Sequence, residues 1–331
     1  MTEHGSVLLA CPDPHAVGAN TSASPVVVVL HGGPCPDTAA HSLRCARTVA
    51  NSVSSYGGEA HLVEAAGFAL PSLVDKLDGE VRALVTTMEV PRDAGSLQGL
   101  LNYLEIPYAG SGVAGCAIAA HQVTARRLLQ AAHVPVPAYG LVRPRSSPYS
   151  EAQRIMRQAS AGVVRIQPQA PARGPAGPGD SVWRGPSTAA GAEALSDLLT
   201  VAGPFGPLMY ESDEPGQTLW VGVIDDAEGQ PHTLPGLEAE PRAAADKETL
   251  GRARRLALRA QRALHLRGYA LHRFTRSQDT GLFWREVQTH PDLSPTGRLF
   301  QITSAHHGWT HLEFIEALLN TCDTDLTEGG R

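Results

Sequence analysis

The run Val26-Val-Val-Val-Leu30, which is followed by His31-Gly-Gly-Pro34, constrains the fold of this chain more than any other segment. An unbroken run of β-branched residues is typical of a strand buried on both faces, as in a parallel sheet. The two glycines permit a tight turn, and the pattern after them predicts a helix over 39–55. A buried strand, a glycine turn and a helix together predict an α/β unit.

The same alternation continues and predicts a doubly wound sheet in the N-terminal part, with a second strand at 83–88 and a helix at 97–104. Beyond it, strands and helices mix in the manner of an α+β protein. Further helices are predicted at 116–132, 189–200, 245–264 and 312–319. Further strands are predicted at 163–166, 208–211, 218–224, 269–275 and 282–287.

Two segments lack such periodicity. Residues 1–24 are rich in small polar residues, proline and glycine, which indicates a loosely ordered extension. Residues 168–187 are dominated by Pro, Gly and Ala, a composition that favours a mobile loop.

Composition excludes several classes of function. A formal charge of -6 over 331 residues gives no support for a nucleic-acid or anionic-membrane partner. No apolar run approaches a membrane span, and the start of the chain lacks a signal-peptide pattern. The five cysteines include no Cys-x-x-Cys pair, which is typical of a reducing compartment. We expect a cytoplasmic protein without a membrane or nucleic-acid partner.

One enzyme hypothesis fails on a missing motif. His31-Gly-Gly-Pro also resembles the oxyanion segment of α/β-hydrolases. That class requires a Gly-x-Ser-x-Gly nucleophile turn, and the sequence contains none.

Three blocks between 95 and 139 resemble a known family. They are Gly95-Ser-Leu-Gln-Gly-Leu-Leu, Ile106-Pro-Tyr-Ala-Gly-Ser-Gly and Val134-Pro-Val-Pro-Ala-Tyr. In this order they resemble the D-alanine–D-alanine ligases of the ATP-grasp superfamily, and similar blocks run from about 26 to 319. The resemblance implies an ATP-grasp fold with an N-terminal doubly wound subdomain at 25–118, a central subdomain at 119–205 and a C-terminal subdomain at 206–325.

The resemblance also implies a cleft that binds ATP and magnesium. The family's metal-binding Glu-x-Asn pair corresponds to Glu286 and Gln288, and Arg273 occupies the position of the family's metal-binding aspartate. A cation there opposes a two-magnesium site, so Arg273 either turns away or replaces one ion. Glu286 either binds a metal or pairs with Arg273 or Arg285.

Nucleotide and substrate contacts are implied in the same way. Gln122 and Arg165 stand where the family has its phosphate-binding lysines, and Arg165 retains the charge. Glu211 matches the glutamate on the adenine edge, and Asp37 is the acidic residue nearest to the one that meets the substrate amine. The expected partner is a small amino acid or another carboxylate, and a homodimer is left open.

Two functions follow from these replacements. The first is a divergent ATP-dependent carboxylate–amine ligase that forms a dipeptide or related amide through an acyl phosphate, with Arg273 and Asp37 in its active site. The second is a pseudo-ligase that binds a small molecule or partner in the same cleft without turning over ATP.

Overall fold

The structure, a computed structural model, comprises three sheets with helices packed against them. It describes residues 26–33, 36–55, 57–65, 81–86, 95–143, 146–158, 163–169, 181–184, 188–205, 207–213, 216–226, 228–240, 247–277 and 281–322.

The N-terminal sheet is parallel and has the order β2-β1-β3. Its strands are β1 (Val26–His31), β2 (Ala60–Glu64) and β3 (Val81–Val85). Val26 to Leu30 are all buried, as expected for a central strand covered on both faces. The helices of this part of the chain are α1 (Pro36–Ser54), α2 (Ser96–Tyr103), α3 (Val113–Ala120) and α4 (Gln122–Ala131).

The second sheet is antiparallel and has the order β4-β7-β5-β6. Its strands are β4 (Tyr139–Leu141), β5 (Val163–Pro168), β6 (Ser181–Arg184) and β7 (Leu208–Ser212). The helices α5 (Pro148–Gln158) and α6 (Ala189–Ala202) pack against it and bury Ile155 and Leu195 with Val164 and Ile166.

The third sheet is antiparallel and has the order β11-β10-β8-β9. Its strands are β8 (Gln217–Asp225), β9 (Pro231–Glu240), β10 (Tyr269–Ser277) and β11 (Gly281–Gln288). Helix α7 (Lys247–Ala263) covers one face, where Leu219 and Val221 are buried. Helices α8 (Arg298–His307) and α9 (His311–Leu319) share a core with the other face, which includes Trp220.

Local structure differs from the sequence predictions in three respects. The helix predicted over 116–132 is two helices, because His121 has an extended backbone and its ring accepts a hydrogen bond from the Thr124 amide at the start of α4. Within the predicted loop at 168–187, residues 181–184 form strand β6, which pairs with β5, while 170–180 and 185–187 lie outside the described residues. Strands β2, β4 and β9 were not predicted.

The proposed division into subdomains stays a prediction. Strand β7 lies in the second sheet, although the predicted boundary at 205/206 assigns it to the C-terminal unit. The predicted extension at 1–24 lies outside the described residues. Within the described ranges, no helix combines the length and apolar character needed to cross a bilayer.

Candidate functional site

A polar patch lies on the face of the third sheet opposite α7. Trp220 on β8 pairs with Arg273 on β10, and Arg273 pairs with Glu286 on β11. The register then shifts, so that Arg285 is an extra residue of β11. Because a bulge lets two consecutive side chains turn toward one face, Arg285 bonds Thr275 at 3.1 Å while Glu286 meets Arg273.

Arg273 and Glu286 form an ion pair. Arg273 Nη2 lies 3.0 Å from a carboxylate oxygen of Glu286, and both side chains are partly exposed. Of the alternatives left open for Glu286, the structure shows the pairing with Arg273. Gln288, the other predicted metal ligand, lies exposed at the end of β11. Its metal role stays a prediction.

Glu211 on β7 is buried and surrounded by arginines. Arg126 donates from Nε at 3.1 Å and from Nη2 at 2.5 Å to one carboxylate oxygen. Arg285 Nη1 donates to the other oxygen at 3.4 Å, and Arg165 Nε lies 3.7 Å from it. Both oxygens of Glu211 therefore have cationic partners within the protein.

Asp213 is the second acidic centre. Arg165 Nη2 donates to it at 3.2 Å, and Arg285 Nη2 lies 3.5 Å from the same oxygen. Burial lowers the pKa of Arg285. The carboxylates of Glu211 and Asp213 oppose this shift, whereas the positive charges of Arg165 and Arg273 add to it. Arg285 therefore interacts electrostatically with both Arg165 and Arg273.

Gln122, a predicted phosphate contact, supports this cluster. Its side-chain oxygen accepts from Arg126 Nη1 at 2.6 Å, and its carbonyl accepts from the same nitrogen at 3.2 Å. The two residues are four apart at the start of α4, so their side chains lie on one face. Gln122 thus orients Arg126 toward Glu211.

The predicted substrate contact, Asp37, is not joined to this cluster. It lies exposed in the first turn of α1, and in the described part of the chain it forms no ion pair with the arginines. A different acid, Asp292, lies 3.4 Å from His41 of the same helix. Burial raises the pKa of Asp292, but hydrogen bonds from Ser294 and Cys45, together with His41, lower it overall.

These residues do not fit a two-magnesium site. Magnesium requires several oxygen ligands in near-octahedral geometry, and Glu286 is already neutralised by Arg273. Among the described residues, no three His, Cys, Asp or Glu side chains are grouped to hold a metal ion. A guanidinium about 4 Å from a divalent ion would raise its energy by roughly 8 kcal/mol at an effective dielectric near 20.

Comparison with known proteins shows a sequence similarity to D-alanine–D-alanine ligases. No family model matches the chain. A D-alanine–D-alanine ligase of a Synechococcus species is 27% identical over 247 residues, 68% of this chain and 71% of the relative. One from Xanthobacter autotrophicus is 29% identical over 252 residues, 68% of this chain and 75% of the relative. The chain is therefore similar in sequence to D-alanine–D-alanine ligases over about two thirds of its length.

Solved ligases of this family share the fold. The D-alanine–D-alanine ligase of Coxiella burnetii superposes with a TM-score of 0.73 at 15% identity, covering 90% of this chain and 95% of that one. The enzyme of Bacillus anthracis, solved in complex with ATP, gives 0.70 at 16% identity, covering 90% and 96%. The predicted ATP-grasp fold is confirmed.

Sequence reasoning missed Arg126 and Trp220 and considered Arg285 only as a partner of Glu286. Arg126 lies one helical turn after Gln122, and this spacing was the available signal. No sequence signal reveals the bulge that turns Arg285 toward Glu211, because a bulge depends on how two strands pair.

Proposed function

We propose that this chain is a divergent ATP-dependent ligase that joins a carboxylate to an amine through an acyl phosphate. Sequence similarity to D-alanine–D-alanine ligases supports the reaction class. In this proposal the arginines of the cleft supply most of the positive charge for the nucleotide phosphates, and at most one magnesium ion takes part. The acceptor is a small amino acid or a related amine.

The observation that carries this proposal is the cluster of arginines at the site. Arg285 lies within electrostatic range of both Arg165 and Arg273, and Arg165 and Arg273 are partly exposed. A planar guanidinium binds phosphate oxygens through paired hydrogen bonds and remains charged at every physiological pH.

A second candidate, a pseudo-ligase that binds a ligand without turnover, is favoured by a separate observation. Glu286, expected to bind the metal, and Glu211, expected to bind the adenine, already have arginine partners. A ligand would then bind the cleft while these ion pairs stay intact.

Calorimetric titration with ATP, together with an assay for ADP release in the presence of D-alanine and other amino acids, decides between the two. We expect ATP binding and amino-acid-dependent ADP release. ATP binding without ADP release under any amine would support the pseudo-ligase. Absence of ATP binding, both with magnesium and with EDTA, would refute the ligase proposal.

Replacement of Arg165 by alanine should weaken ATP binding by about 1.5 to 3 kcal/mol, the usual range for hydrogen bonds to charged groups. Arg165 is the retained cation on β5, which corresponds to the strand that carries a phosphate-binding lysine in the family that the chain resembles. Titration calorimetry on the variant measures the change. Arg157→Ala, which removes an exposed arginine from α5, should leave the affinity within a factor of two. Equal affinities of Arg165→Ala and the parent would exclude the phosphate role.

Replacement of Arg273 by aspartate should make nucleotide binding depend on magnesium. The parent should bind ATP with a similar affinity in EDTA and in excess magnesium. In Arg273→Asp, two carboxylates replace an ion pair, so binding should weaken at least about tenfold in EDTA and recover with added magnesium. Arg252→Asp, an exposed change on α7, controls for charge alone. A parent that already requires two magnesium ions would contradict this account of Arg273.

A further inference from the structure

A serine and a histidine form a close pair where α1 packs against α9. Ser52 lies on α1, and its Oγ is 2.6 Å from Nδ1 of His311, the first residue of α9. The two residues are 259 positions apart in the chain and meet because both helices contribute to one hydrophobic core. Both residues are partly exposed, so a small molecule in solution can reach them.

The backbone fixes which nitrogen of His311 carries the proton. Its Nε2 lies 2.7 Å from the carbonyl oxygen of Leu293, which can only accept a hydrogen bond, so Nε2 is protonated. In the neutral imidazole, Nδ1 is then an acceptor that faces the Ser52 hydroxyl. The Thr48 carbonyl offers that hydroxyl a second acceptor at 3.2 Å, a longer distance than the one to His311. The Ser52 hydroxyl is therefore placed to give its proton to His311.

The surroundings of His311 favour the neutral, basic form of its ring. Burial lowers the pKa of His311, and the Leu293 carbonyl and the Asp292 carboxylate only partly oppose this shift. The ring of Phe300 meets the imidazole edge to face, with 5.1 Å between the two centroids. This packing holds the imidazole in one orientation while its Nδ1 remains available as a base.

A serine hydroxyl that donates to a histidine, which a third group in turn orients, is the arrangement that activates serine as a nucleophile. Here the nucleophile is Ser52, the base is His311 and the orienting group is the Leu293 carbonyl. The three are joined by two hydrogen bonds, so they act on one reacting atom, Oγ of Ser52. A nucleophile and a base suit an activated acyl donor, whose leaving group departs as a stable anion, whereas cleavage of an amide also requires an oxyanion site.

We propose that Ser52, with His311 as its general base, accepts the acyl group of a small activated ester or acyl phosphate. Oγ of Ser52 attacks the acyl carbon, and the hydroxyl proton passes to Nδ1 of His311. The bond between the acyl carbon and the leaving oxygen breaks, and the leaving group departs with the electron pair and takes the proton from the imidazolium. The products are an O-acyl serine and a neutral imidazole. None of the residues assigned to the ligase reaction takes part, so this inference does not depend on the proposed function.

Incubation of the parent with p-nitrophenyl acetate, followed by peptide mapping with mass spectrometry, tests the site. We expect acetylation of Ser52. An internal control is Ser55, an exposed serine directly after α1 whose Oγ donates to the Asn51 carbonyl at 2.7 Å and which contacts no histidine among the described residues. Ser55 is more accessible but lacks a base, so it should stay unmodified.

Two variants assign the roles within the pair. His311→Gln should slow acetylation of Ser52 at least about a hundredfold, the lower end of the usual contribution of a general base. Ser52→Ala should lose the stoichiometric release of p-nitrophenolate. His133→Gln, which removes an exposed histidine beyond the end of α4, should leave both unchanged. Circular dichroism melts establish that each variant is folded.

Acetylation of Ser52 no faster than that of Ser55 in the parent would overturn the inference, and this comparison requires no variant. Equal rates in the parent and a folded His311→Gln would do the same, because Ser52 would then react without a base. Undiminished release of p-nitrophenolate by Ser52→Ala would also overturn it. The presence or absence of ATP-dependent ligase activity bears on none of these outcomes, so the two proposals fail separately.

Discussion

Replacement of Arg126 by alanine is expected to lower the free energy of unfolding by about 3 to 5 kcal/mol, the range for removing one partner of a buried ion pair. Arg126 and Glu211 are 1% and 2% exposed, respectively. Without Arg126, one oxygen of Glu211 loses the two hydrogen bonds that Arg126 donates to it inside a low-dielectric core. Urea unfolding of parent and variant measures the difference.

The adjacent residue offers a matched control. Arg127 is exposed on the same helix, so Arg127→Ala removes an identical side chain at the surface. Its effect should stay within about 0.5 kcal/mol. Similar effects of the two substitutions would mean that the Arg126–Glu211 pair contributes no more than a surface charge. In the variant Glu211→Gln, which leaves Arg126 with an uncharged acceptor, we expect a smaller loss than in Arg126→Ala.

Replacement of Asp225 by asparagine should remove a large pH dependence of the free energy of unfolding. Asp225 is 7% exposed at the end of β8, and burial raises its pKa to about 7, an effect opposed by the Gly268 amide and increased by Asp226. One carboxylate oxygen accepts from Gly268 N at 2.5 Å, while the other has no partner among the described residues. The ionised form is thus disfavoured in the folded protein.

The direction of this pH dependence follows from the raised pKa of Asp225. Below pH 4 the carboxyl is protonated in both states, and its contribution to stability is fully present. Between about pH 4 and pH 7 the unfolded chain ionises first, so stability is lost as the pH rises. Between pH 5 and pH 7, the free energy of unfolding of the parent should fall by about 2.5 kcal/mol relative to Asp225→Asn, and then level off.

Urea unfolding at several pH values measures this difference. The amide of asparagine does not ionise in this range, and its carbonyl oxygen can still accept from Gly268. Asp197→Asn, an exposed change on α6, should give a curve parallel to that of the parent. Parallel curves for the parent and Asp225→Asn would show that Asp225 does not titrate in this range.

Much of the fold could be predicted because its signals are local. The buried run at Val26 to Leu30 forms the central strand β1, and the long amphipathic pattern near 245–264 forms α7. Order and spacing of the motifs indicated the ATP-grasp fold, which the solved ligases confirm. Strand β9 was missed because its stability comes from pairing with β8, and the sequence of a single segment does not reveal which strand it pairs with.

The sequence by itself determined which residue types stand at the family's positions: an arginine at 273, a glutamate at 286 and a glutamine at 122. Only the tertiary structure decided their partners. Arg126 and Glu211 are 85 residues apart and meet because α4 lies against β7. The bulge in β11 turns Arg285 and Glu286 to one face, where charge and distance select each pair. Because Coulomb energies fall with separation, the partner of each charged residue depends on which side chains the fold brings close together.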